Sequence, residues 1–289
     1  MIMAYDPKST TFRTPSLSLG YKVGLGLYSG LWYAALPVAL ASKRIRSGLW
    51  SRVTLRSEPK ETDIWIQAAS AGECTLVQTL VQSWPEEDPI SLLATTNTSQ
   101  GMQVLEKTKP TSHMLFTKAY APLDTGISVR KTLKHFHPRL LVILETELWP
   151  NLLLSCAQAR IPVLLLNARM TAKSLSWYTR VQNLWQHIRP RRILAVDHDN
   201  AVRYSYMFGS QTVDTMRNIK FDRWARIQEP LPYVQNPLSG LMKAQSRLVV
   251  YGSIRREEEP DLLTVVSRMA GLHPRAIQAV FPRHMHRIP

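Results

Sequence analysis

Cysteine occurs only twice in the 289 residues, as Cys74 and Cys156. Two thiols so far apart exclude a disulfide framework and a cysteine-based zinc site, and they suit a reducing compartment. Acidic residues are scarce too: 21 Asp and Glu stand against 36 Lys and Arg, a net charge of +15. Such an excess calls for an anionic neighbour, whether nucleic acid, lipid headgroups, or a phosphorylated or carboxylated substrate. Nucleic acid gains no further support, because zinc spacing, interleaved basic and aromatic residues and a basic low-complexity tail are all missing. The basic residues are instead dispersed, as at Arg44 and Arg46, at Arg189, Arg191 and Arg192, and from Arg217 to Arg226.

Charge is absent from Val23 to Ala41, VGLGLYSGLWYAALPVALA, which stops at Lys43-Arg44-Ile45-Arg46. The run approaches the ~20 residues that cross a hydrocarbon core, and Trp32 and Tyr33 can anchor at an interface. Three glycines and Pro37 weaken it, and the flanks do not fit a cleaved signal peptide. The run therefore reads as a membrane-associated helix, spanning the bilayer or lying in the interface, with a buried amphipathic helix as the alternative. The basic flank and the cysteine-poor remainder put the rest of the chain on the cytoplasmic side.

Hydrophobic residues make up 45% of the chain, enough for a packed core. From Asp63 onward, short apolar runs (IWIQAA, ISLLATT, HMLFT, LLVILET, PVLLLNA, RILAVD) alternate with stretches of helical spacing, at Cys74 to Trp84, Ser99 to Lys109, Thr125 to Phe136 and Leu152 to Arg160. This pattern predicts a doubly wound α/β domain with a parallel sheet. Ligands of such sheets collect beyond the carboxyl ends of the strands, where AASAGE, TTNTSQG, ETELWPN and NARM fall. After Phe221-Asp222 the segment RIQEPLPYVQNPLSG reads as a linker. A second α/β unit then begins with RLVVYGS, a helix opening RREEEPDLL, and AIQAVFPRH. One strand-helix-strand unit is too small to bury a core independently.

Several residues stand where chemistry could occur. Ser70 and Glu73 fit a capping box, and Glu73 at a helix start could equally serve as a general base toward a hydroxyl. Glu145 and Glu147 follow the run LLVIL and cannot face an apolar core cheaply; Glu147 could also simply open a helix while Trp149 packs locally. Lys220 offers a cation near the linker. Ser253 follows Gly252 at a strand end, as a phosphate contact or as an ordinary N-cap. Arg283 and His284 end the next strand and could complete an anion site with Ser253.

The ordered series AASAGE, TTNTSQG, PLD, ETELWPN, NAR, NIKFD, GS with acidic residues following, and PRH resembles the Kdo transferases, the 3-deoxy-D-manno-octulosonic acid transferases of lipopolysaccharide synthesis. The resemblance runs from about Tyr21 to the end. It implies a GT-B glycosyltransferase of two Rossmann-like domains preceded by a membrane-associated helix. The activity implied is metal-independent, inverting transfer from CMP-Kdo to a lipid A precursor, without cofactor, on the cytoplasmic face of the inner membrane. By resemblance, Glu73 is the base; Glu145, Asn151 and Lys220 contact substrate; Ser253, Arg283 and His284 hold the donor. The divisions expected are a membrane-anchor segment at 1–50, an acceptor-side domain at 51–228, a linker at 229–245, and the beginning of a donor domain at 246–289. Family members continue past PRH with a glycine-rich loop and a later acidic residue that hold the nucleotide. The chain thus reads as truncated, as a fragment, or as half of a split enzyme. The alternatives are a non-catalytic, membrane-bound acceptor module that needs a separate donor domain, and, third, a basic nucleic-acid-binding protein.

Overall fold

Strands that are apolar on both faces are stable only when helices cover both faces, and the computed structural model resolves this requirement in the usual way for α/β proteins. It describes residues 17–41, 61–85, 88–222, 239–240 and 247–283, with side chains of 36–41 excepted. The chain divides into two units, Met1–Arg226 and Ile227–Pro289.

The first unit opens with helix α1 (Leu19–Ala41) and continues β1 (Thr62–Ala68), α2 (Ala71–Gln82), β2 (Ile90–Thr96), α3 (Ser99–Glu106), β3 (Met114–Tyr120), α4 (Gly126–Phe136), β4 (Pro138–Leu144), α5 (Pro150–Gln158), β5 (Val163–Ala168), α6 (Ala172–Tyr178), α7 (Gln182–His187), β6 (Arg192–Ala195), α8 (His198–Phe208) and β7 (Val213–Thr215). All seven strands run parallel, in the order β3-β2-β1-β4-β5-β6-β7. Successive strand residues serve opposite layers. Trp65, Leu93, Leu141, Ile143 and Leu165 join the core on one face, and Ile66, Leu92, Ala94, Val142 and Leu144 the core on the other. The strand order reverses between β1 and β4, and the loops after those two strands flank the crevice that this topology opens.

The four expected helices form with modest shifts. The one expected from Leu152 begins at Pro150, whose fixed φ suits the first helical turn. Strand β7 and helices α6 to α8 were not marked by the sequence patterns.

Helix α1 docks on the first unit. Leu25 is buried, Trp32 stacks at 5.7 Å on Trp149, and the Tyr33 hydroxyl donates to Thr125 Oγ1 at 3.1 Å. Its other side shows solvent Leu19, Val23, Leu27 and Leu31, spaced four apart. Among the described residues no helix is long and apolar enough to cross a membrane. Glycines at positions 20, 24, 26 and 30 dilute the hydropathy of α1. Its basic flank, Lys43 to Arg46, lies outside the described residues, as does nearly all of the segment expected as a linker.

The second unit contains β8 (Leu248–Ile254), α9 (Glu259–Leu272) and β9 (Ile277–Pro282), the two strands pairing in parallel. No residue of α9 is buried, and Val250, Leu263, Leu272, Val280 and Phe281 are exposed. Among the described residues of this unit, no second layer covers these side chains.

Candidate active site

Glu73 stands in the first turn of α2, just past the carboxyl end of β1. Ser70 is the N-cap: its Oγ accepts from the Glu73 N–H at 3.3 Å and donates to Glu73 Oε1 at 2.9 Å. Glu73 Oε2 accepts the Ala69 N–H at 2.7 Å. The glutamate thus closes the capping motif on the residue before the cap, one position earlier than the box pattern implies. Both oxygens are held in place, and each retains a lone pair. Burial, with smaller contributions from the charges of Glu147 and Glu145, pushes this carboxyl up to about 7 against the pull of its two hydrogen bonds. Glu73 is therefore a positioned carboxylate that exchanges its proton near neutrality.

Across the strand-order reversal, the loop after β4 carries Glu145 and Glu147. Glu145 adopts a left-handed backbone, φ 58°. Its N–H donates to Leu166 O, and its own carbonyl accepts from the Arg169 N–H and the Tyr204 hydroxyl. Three fixed contacts hold a strained residue in place, as is common where side chains are positioned for function. The side chain pairs with Lys220, Nζ to Oε1 2.7 Å. Lys220 reaches it because the buried Asn167, itself left-handed at φ 56°, accepts the Ile219 N–H with Oδ1 at 3.1 Å. Asn167 of NAR so fixes the NIKFD turn over the strand ends. Its one cue in the sequence is an amide in an otherwise apolar strand. Glu147 is half-buried, and desolvation raises its carboxyl. It precedes α5 and does not begin the helix, whose N-cap position is Trp149.

Asn151 belongs to the scaffold around α1. Its side-chain amide donates to Asp124 O at 2.7 Å and to Ser29 Oγ at 3.1 Å. Asp124, the aspartate of PLD, accepts the N–H groups of Asn151 and Leu152 at 3.2 and 2.8 Å. It caps α5 from a distant loop, a task no side chain at Trp149 performs. Burial pushes Asp124 up to about 6. Sequence reasoning missed this role, since a cap supplied from 27 residues away leaves no local spacing.

Along the ends of β4 to β6 the surface opens into a cleft of about 740 Å3 that includes Thr146, Arg169, Asn200, Arg203 and Asn218. Asp197 lies on the same cleft, and the two arginines help hold its carboxyl below the usual range, after its hydrogen bonds to Asn200. In the second unit, Ser253 occupies a bulge of β8 with a left-handed backbone, φ 62°. It caps no helix: α9 has Glu258 at its N-cap position. The Arg283 N–H donates to Ile254 O at 2.9 Å, which brings Arg283 and Ser253 to one end of the strand pair. His284 lies outside the described residues. Among those residues, no three His, Cys, Asp or Glu side chains are grouped to hold a metal ion.

Solved structures share this architecture at low identity. A UDP-GlcNAc 2-epimerase from Neisseria meningitidis, bound to UDP-GlcNAc, superposes with a TM-score of 0.56 at 13% identity over 77% of this chain and 66% of that one. A second UDP-N-acetylglucosamine 2-epimerase gives 0.54 at 12% identity, over 78% and 62%. These likenesses establish the Rossmann-like α/β fold. Sequence relatives are more informative. The 3-deoxy-D-manno-octulosonic acid transferase of Haemophilus influenzae is 28% identical over 79% of this chain and 53% of its own length. The enzyme of that name from Rickettsia felis is 27% identical over 84% and 51%. A probable mitochondrial one from Arabidopsis thaliana is 26% identical over 79% and 52%. The chain spans about half the length of these curated relatives. The sequence model of the 3-deoxy-D-manno-octulosonic-acid transferases (kdotransferases) matches residues 43–223, well over half of the chain and the whole of the sheet that carries Glu73, Glu145 and Lys220; the chain belongs to that family.

Proposed function

We propose that this chain provides the acceptor side and the catalytic base of a GT-B Kdo transferase, which moves Kdo from CMP-Kdo to a lipid A precursor with inversion. The observation that carries this reading is Glu73: a carboxylate held by two hydrogen bonds at a helix start, pushed up to about 7, beside the glutamate loop after β4. Ionised Glu73 takes the proton of an acceptor hydroxyl as that oxygen bonds to the anomeric carbon of Kdo. The bond from that carbon to the CMP phosphate oxygen breaks, and CMP leaves as an anion. Lys220 and the cleft residues Arg169 and Arg203 can offer charge-assisted hydrogen bonds to phosphates of the acceptor. Ser253 and Arg283 are assigned to the donor, with His284 beside them in sequence. The protein works at the cytoplasmic face of the inner membrane, where the exposed leucines of α1 meet lipid.

A second reading is favoured by the second unit. Its exposed Val250, Val280, Phe281 and α9 suit an acceptor half that works only with further donor-domain polypeptide.

Incubation of the chain with CMP-Kdo and a lipid A precursor, with product measured by mass spectrometry, separates the two. Product from the chain alone supports the first reading; product only after addition of the C-terminal half of a relative supports the second. In whichever preparation is active, Glu73→Gln removes at least about a hundredfold of the rate, the usual worth of a general base, while circular dichroism stays unchanged. Near-normal turnover of that variant removes Glu73 as the base.

A further inference from the structure

Beneath α1, at the carboxyl ends of β1 and β2, lies a partly enclosed cavity of about 200 Å3. Trp32 of α1 lines it on one side, with Leu123, Val129, Trp149 and Leu152 among the other apolar lining residues. It exceeds the ~150 Å3 of an engineered apolar cavity that stays dry and binds benzene. Its wall also carries polar side-chain atoms, among them those of Gln67, Asn97, Asp124 and Trp149, and Trp149 Nε1 is buried with no hydrogen-bond partner among the described residues. Gln67 Oε1 accepts from Thr95 Oγ1, and both oxygens of Asp124 accept backbone N–H groups. With those acceptors occupied and most of the wall apolar, water placed here would find few partners, and hydrocarbon is the better-matched occupant.

Its position links two features otherwise separate. The helix that walls it shows Leu27 and Leu31 to solvent on its other side, 67% and 69% exposed. Trp149 belongs to the loop that carries Glu145 and Glu147, and Gln67 is the last residue but one of β1, six residues before Glu73. A chain seated in the cavity would leave its head group at the strand ends where Glu73 stands.

We propose that this cavity seats the end of one acyl chain of the acceptor, so that Trp32, Val129, Trp149 and Leu152 select acylated over deacylated acceptors. The assignment deepens the reading of the acceptor as a glycolipid and rests on it, but its test needs neither donor nor turnover. The chain is titrated by calorimetry with n-alkyl glucosides from hexyl to dodecyl, each below its micelle concentration. The expected affinity rises about fourfold per methylene, the factor that ~0.8 kcal/mol per buried CH2 gives, then levels off once the cavity is full. Val129→Phe on α4 and Leu152→Phe on α5 fill the space from two elements. Each is expected to bring the plateau to a shorter chain and to weaken dodecyl binding about tenfold, the worth of one or two methylenes. Folding is checked by circular dichroism, and either folded variant suffices. Should both fail to fold, Trp32→Ala at the edge of the cavity must weaken dodecyl binding for the assignment to stand. Absence of binding overturns the proposal, and so does an affinity that climbs without a plateau and is the same in the variants, which would be partition onto the exposed face of α1. A protein that binds chains as described yet transfers no sugar, alone or with the C-terminal half of a relative, leaves the cavity in place and defeats the functional reading instead.

Discussion

The base role proposed for Glu73 and its contribution to stability have opposing pH dependences. As a base it must be ionised, so transfer should rise with pH through about 7 and fall away on the acid side. Glu147 and Glu145 both push that value up. Glu147→Gln removes one such charge and is expected to shift the acid limb of the rate profile to lower pH; a limb that stays in place would dissociate Glu147 from the base. Stability runs the other way. A carboxyl whose folded-state value lies above its unfolded one favours folding below the unfolded value, and that contribution is lost as pH rises through the folded one. The Glu73 contribution is therefore gone above about pH 7, and that of Asp124 above about pH 6. Glu73→Gln is expected to raise the melting temperature at pH 8, by a margin that vanishes near pH 4. An equal gain at both pH values would mean that the effect has another origin. At this scale the site was partly legible. AASAGE and ETELWPN announced carboxylates at strand ends, because small residues and acids there have no place in a core. The left-handed Asn167 and Glu145 were not, since φ is set by contacts distant in sequence.

Where α2 and α3 approach β2, the fit depends on Gly101. A Cβ there would overlap Thr96 Oγ1 and lie 3.0 Å from Cys74 Sγ, and both neighbours are buried. Gly101→Ala should cost about 1–3 kcal/mol, the usual penalty for overpacking, less the roughly 0.5–1 kcal/mol by which alanine is the better helix former. Chemical denaturation checks this; a stabilised variant would mean that the α2–α3 layer yields easily. Gly101 ends TTNTSQG, so that motif serves packing between the two helices as well as the crevice edge. Elements with strong periods were legible: ISLLATT is β2 to the residue. β7 was not, because three residues carry no pattern, and α6 and α7 are short and half-exposed, without a full apolar stripe. α1 was foreseen as a helix, but its run of uniform apolarity hid which side faces protein. Only the contacts of Leu25, Ser29, Trp32 and Tyr33 reveal that.

Across the whole chain, the net charge of +15 and the face of α1 formed by Leu19, Val23, Leu27 and Leu31 would each favour the lipid surface proposed above, through different forces. Coulomb attraction draws a cationic protein to an anionic bilayer over about a Debye length, and salt screens it. The apolar stripe contributes only after contact, by burial in the headgroup layer, and salt leaves that term in place. The two are separable in a sedimentation assay with vesicles. Binding to vesicles rich in anionic lipid is expected to exceed binding to neutral ones and to weaken as salt rises from 50 mM to 500 mM, both values chosen to bracket the ~8 Å screening length of physiological salt. Leu27→Asp with Leu31→Asp should lower binding to both kinds of vesicle and leave the salt slope nearly unchanged, because exposed side chains are altered without disturbing the docked side of α1. Binding that vanishes in salt and ignores the aspartates would mean that charge alone holds the protein to lipid, and α1 would then serve the first unit as packing only.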